Sequence, residues 1–64
     1  MSRELITYYI RETLAGVECC KTYRNQISIV GKAKIIENKI VHLWAEDRSI
    51  EVYMLDELRK RGYA

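Results

Sequence analysis

Proline and phenylalanine are absent, and glycine occurs at three positions only. With so few strong breakers, the turns fall to Asn, Asp and the glycines. Two cysteines exclude a disulfide-stapled scaffold. No apolar run approaches the roughly 20 residues of a membrane-spanning helix. Arg3 and Glu4 stand where a signal peptide needs an unbroken apolar stretch, so a reducing, cytoplasmic setting is expected, with no membrane partner. Glycine-rich phosphate loops and dinucleotide fingerprints are also missing.

What is present is a chain of 64 residues, 48% hydrophobic and 31% charged, with a net charge of +2. This balance excludes a disordered polyelectrolyte and indicates one small folded domain, residues 1–64. A domain of this size hides only about 60% of its unfolded-chain surface, and self-association is a common remedy.

The periodicity predicts a helix over 2–16. Ser2 is a plausible N-cap, Ile6, Ile10, Leu14 and Val17 recur at helical spacing, and Gly16 follows as a stop. The rival is a strand, since Ile6, Tyr8 and Ile10 also alternate. Antiparallel strands are expected over 17–55. Ile27, Ile29, Ala33 and Ile35 mark one face of a long strand whose Gly31 signals a bulge or bend. Glu37-Asn38-Lys39 suits a hairpin, and Glu46-Asp47-Arg48-Ser49 suits a second turn. Ile50, Val52 and Met54 alternate with Glu51 and Tyr53 as a last strand, and a short helix is expected over 56–61, ending at Gly62. The fold class is therefore α+β, mainly β. An N-terminal helix leads into a four- or five-stranded antiparallel bent sheet, closed as a small barrel, with a short C-terminal helical turn.

This order resembles the Sm-like fold, and its bacterial Hfq branch most. VECCKTYRNQISIVGKAKIIENKIVHLW, residues 17–44, lies along that family's first strands without a gap. Asn25 falls in the first turn, Gly31 on the glycine of the bent strand, and Glu37-Asn38 on an acidic–amide pair of the RNA-binding loop. Lys39 stands where the family has a base-stacking aromatic, and Tyr53-Met54-Leu55 where it has a Tyr-Lys-His run. The resemblance implies a homo-oligomeric RNA-binding barrel. The C-terminal WAEDRSIEVYMLDELRK resembles Tudor or KOW-type SH3-like barrels equally well, which implies a protein-interaction module or small regulator instead.

Charge is segregated along the chain. Residues 21–39 carry Lys21, Arg24, Lys32, Lys34 and Lys39 against Glu37 alone. Residues 46–57 carry Glu46, Asp47, Glu51, Asp56 and Glu57 against Arg48 alone, and Arg59, Lys60 and Arg61 follow. Such segregation makes faces of opposite sign. Lys32 and Lys34 share a strand face, about 7 Å apart. Pairing with the next strand brings His42 and Trp44 to the same side, and Tyr53 would follow on the strand after. Lysines beside aromatic rings suit single-stranded nucleic acid, with phosphates on the cations and bases on the rings. The candidate site is therefore Lys32, Lys34 and Lys39 for phosphates, with His42 and Tyr53 near bases. Trp44, the single tryptophan, reads as a core or interface anchor before it reads as a stacking ring.

Adjacent Cys19 and Cys20 point to opposite faces of a strand and cannot easily share a metal, so one buried and one partly exposed thiol are expected. No metal or cofactor is implied. His42 has no nucleophile or carboxylate fixed near it in sequence, and catalysis is not expected.

Overall fold

A computed structural model describes residues 5–64. Four strands run in chain order: β1 (Thr7–Glu12), β2 (Gly16–Tyr23), β3 (Gln26–Ile36) and β4 (Lys39–Ala45). One helix, α1 (Arg48–Lys60), follows. The strands form an antiparallel meander in the order β1-β2-β3-β4, and the helix covers one face of it.

The hairpins follow from local chemistry. β2–β3 turns through Arg24-Asn25 and β3–β4 through Glu37-Asn38, with φ of 50° and 64°, and of 52° and 64°. Two positive φ values in succession match the right-handed twist of the flanking strands, and asparagine tolerates them well. The β1–β2 hairpin closes on Thr13 and Gly16, which exchange backbone hydrogen bonds of 2.8 and 3.4 Å.

The register fixes two faces. Ile10, Val17, Cys19, Val30 and Ala33 turn towards the helix and meet Ile50, Met54 and Leu58. Opposite Cys19 and Cys20, β3 carries an extra residue, Val30, so the ladder shifts there. This bulge sits beside Gly31, where the sequence predicts a bend. A Cβ on Gly31 would collide with Met54 Sδ and come within 3.0 Å of the Trp44 carbonyl, so the helix can approach only because that position is bare. A second shift between Lys34 and Ile35 leaves Val41 as an extra residue on β4.

The helix is capped at both ends. Asp47 accepts a hydrogen bond from the Ile50 N–H at 3.0 Å and another from the Ser49 hydroxyl at 2.7 Å. Gly62, at φ 92°, ends the helix, with its N–H donating to the Arg59 carbonyl and that of Tyr63 to the Leu58 carbonyl, both at 3.0 Å.

Three expectations are corrected. The helix expected over 2–16 is not there: its described part holds β1, because the Thr-Tyr-Tyr-Ile run favours extended backbone and pairs with β2 from Thr7↔Thr22 to Glu12↔Val17. Residues 2–4 of that span lie outside the described residues. The strand expected over 50–54 is the first half of α1, and the helix placed at 56–61 is its second half. Ile50, Met54 and Leu58 recur every fourth residue and are all buried, a helical stripe that also mimics alternation over its first five residues. The sheet is open rather than closed into a barrel, since among the described residues β1 and β4 are not paired with each other.

Candidate nucleic-acid interface

The sheet face away from the helix is uncovered among the described residues. Strand pairing arranges it in rows. Arg11, Glu18, Lys32 and Trp44 form one row across all four strands, and Gly16, Lys34 and His42 form the next. On the other side, Tyr9, Cys20 and Ile29 form a row, followed by Thr7, Thr22 and Ile27. Directly opposed side chains stand about 5 Å apart at Cβ.

Lys32, Lys34 and His42 are exposed, and Trp44 keeps 47% of its surface accessible. The half of the face on β3 and β4 therefore presents two lysines, an imidazole and an indole on rigid strands. Lys39, opposite Ile36, lies on the same side at the far end of β4. Glu18 is the acidic member of this half. Arg11 takes its charge through Nε, 3.2 Å from Glu18 Oε1, and through Nη2 as well. That bond to Glu18 also raises the Arg11 pKa above its ordinary value. The lysines thus stay unneutralised by their acidic neighbour. A groove of about 380 Å³ runs here, with Glu18, Lys32, Lys34 and His42 in its lining.

The other half is apolar. Ile27 is 61% and Ile29 40% exposed, with Leu5 beside them. Tyr9 stands opposite Cys20 across the β1–β2 pair, and local desolvation, followed by the neighbouring Cys20 thiol, raises its hydroxyl pKa. Cys20 is fully buried although its strand faces outward, and Cys19 is fully buried beneath the helix. The partly exposed thiol expected from sequence is therefore not found. Desolvation raises the Cys19 pKa and keeps the thiol protonated.

Of the residues proposed from sequence, Lys32, Lys34, Lys39 and His42 share the open face. Tyr53 does not. It lies on α1, across the sheet, where its hydroxyl donates to the Tyr8 carbonyl at 3.2 Å and its ring sits 6.3 Å from that of Tyr8. The reason is that residues 50–54 are helical, so position 53 never enters the sheet. Tyr9, Arg11 and Glu18 join the face unanticipated. The alternation of Ile6, Tyr8 and Ile10 is the signal that places them, once β1 is read as a strand.

Among the described residues no group of three or more His, Cys, Asp and Glu side chains could hold a metal ion. No helix among them is long and apolar enough to cross a membrane. No family model, curated protein or solved structure matches the chain.

Proposed function

We propose that the open face binds single-stranded nucleic acid, without catalysis, with RNA as the form implied by the Sm-like resemblance. The observation that carries the reading is the cross-strand pairing of Lys32 with Trp44 and of Lys34 with His42 on one uncovered face. Phosphates spaced along an extended strand meet the lysines, including Lys39, while unstacked bases lie on the indole and imidazole planes. A twisted open sheet suits a single strand better than a duplex, whose bases are already stacked and turned inward. From the Sm-like resemblance the reading keeps only the nucleic-acid ligand; the geometry it uses is that of a sheet followed by a helix.

The test is an anisotropy titration with labelled single strands of roughly 12 nucleotides, against a duplex, across a salt series. Single strands should bind and duplex should bind more weakly. Replacing Lys32 and Lys34 together by alanine should flatten the log–log salt slope by about 1.4, the value for two lost phosphate contacts on a single strand. Failure of every single strand to bind at low salt rejects the reading. A second reading, a protein-interaction module, is favoured by the exposed Leu5, Ile27 and Ile29 at the apolar end. It predicts instead that Ile27→Asp abolishes partner capture while nucleic acid is ignored.

A further inference from the structure

The two edges of the sheet are finished differently. The β4 edge is blunted. Its first residues pair with the chain end, Ile40 N–H to the Ala64 carbonyl at 2.8 Å and Ala64 N–H to the Asn38 carbonyl at 3.0 Å. Its middle carries the Val41 irregularity, and Lys39 begins it. Bulges, lysines and covering segments are the devices that stop strands from adding to an edge. The β1 edge is less protected among the described residues: its register with β2 is unbroken from Thr7 to Glu12, with neither proline nor lysine, its charged residues Arg11 and Glu12 stand at one end, and only the Tyr53 hydroxyl reaches its outward carbonyls.

The direction of its free backbone groups can be read from the hairpin. Thr13 and Gly16 exchange hydrogen bonds. Alternation along an antiparallel ladder then makes Arg11–Glu18, Tyr9–Cys20 and Thr7–Thr22 the bonded pairs. The backbone N–H and C=O groups of Tyr8, Ile10 and Glu12 therefore point outward. The bond from the Tyr53 hydroxyl to the Tyr8 carbonyl agrees with this, and leaves that oxygen a second lone pair. The outward Ile10 groups meet no partner among the described residues.

We propose that a second copy of this chain pairs antiparallel with β1, about a two-fold axis at Tyr9. The symmetry keeps both helices on one side and joins the two open faces into one continuous sheet. Tyr8 exchanges both backbone hydrogen bonds with the partner's Ile10, an aromatic–β-branched pair on the helix side. Tyr9 faces the partner's Tyr9, and Thr7 faces the partner's Arg11, so no like charges are opposed. A strand-edge contact of this size falls below the roughly 1,200 Å² of stable complexes, so the dimer forms as concentration rises.

The test uses the whole chain without nucleic acid, so its result is independent of the binding reading above. Light scattering across a concentration series should show the mass rising towards double. Tyr8→Lys, which places a charge on the edge, and Tyr8→Pro, which removes an outward N–H and no β1–β2 bond, both give up the ring contact with Tyr53; both should hold the chain monomeric with an unchanged circular dichroism spectrum. In a Cys20→Ala background, which removes the thiol facing position 9 across the β1–β2 pair, Tyr9→Cys should cross-link two copies under mild oxidation, because directly opposed non-bonded positions in an antiparallel pair lie about 4.5 Å apart at Cα. Arg11→Cys, opposed by threonine, should not. A wild-type chain that stays monomeric at every concentration overturns the proposal. So does a dimer that survives Tyr8→Lys, or one that Tyr9→Cys leaves uncross-linked.

Discussion

A methyl group at Gly31 meets the Met54 sulfur and the Trp44 carbonyl, on a residue already fully enclosed. A methionine side chain is flexible, but Met54 is fully buried and the Trp44 backbone carbonyl cannot give way. Gly31→Ala should therefore destabilise the fold by about 1–3 kcal/mol, read as a lower urea midpoint. Trp44, on the same segment of sheet, makes the opposite case. Its side chain is half exposed on the face away from the helix, so Trp44→Ala should leave the melting temperature close to wild type. Binding should suffer instead: a lost base–aromatic stack of ~1–3 kcal/mol corresponds to roughly 5- to 150-fold weaker affinity for a single strand. Because Trp44 is the only tryptophan, its fluorescence reports the same event directly, and quenching by single strands should saturate at the affinity found by anisotropy. If Trp44→Ala binds like wild type while losing stability, the indole is a packing residue, and the lysines act alone.

At the scale of elements, α1 depends on its first turn. The Ile50 N–H bond, and after it the Ser49 hydroxyl, hold the Asp47 carboxyl below the usual aspartate range. A depressed folded-state pKa stabilises the fold above the unfolded value, and that stabilisation is lost as pH falls through the folded one. Helix signal at fixed temperature should thus decline in acid, and Asp47→Asn, which keeps a capping oxygen but cannot titrate, should flatten part of that decline. Asp47→Ala should lower the melting temperature by a few degrees at neutral pH. The same turn explains why the helix was hard to see in sequence. Asp47-Arg48-Ser49 has turn chemistry and N-cap chemistry at once, and Ile50, Val52 and Met54 alternate as well as they spiral. Only polar Asp56, standing where alternation needs an apolar residue while Leu58 keeps the four-residue spacing, separates the two periods. The N-terminal segment failed in the other direction: Ile6 and Ile10 satisfy both spacings, and pairing with β2 decided between them. The strands over 17–45 were legible from polar breaks near residue 25 and at 37–39, but the extra residue Val30 turned Ile27 and Ile29 to the face opposite Ala33 and Ile35, where a single alternation had put all four together. The register carried Lys32, Lys34 and His42 to one face, as their alternation indicated. Tyr53 was lost with the misread strand.

Taken whole, the molecule has two layers and one thin core. The helix contributes Ile50, Met54 and Leu58, and the sheet supplies mostly small or medium side chains such as Val17, Cys19, Val30 and Ala33. A chain of this length is expected to be stable by about 3–10 kcal/mol. Truncating a fully buried leucine costs about 2–5 kcal/mol, so one such change removes a large part of the total. Leu58 is fully buried and also anchors the helix end, where its carbonyl accepts from Tyr63. Leu58→Ala should therefore leave the chain largely unfolded, or melting far below wild type. Because the uncovered face buries little, the sheet has no second layer to sustain it once the helix detaches. The helical circular dichroism signal and Trp44 fluorescence should then be lost at one midpoint, although they report opposite sides of the sheet. Separate midpoints, with the tryptophan signal outlasting the helix, would mean that the four strands hold together without α1, and that some further contact, such as the one inferred along β1, stabilises the sheet.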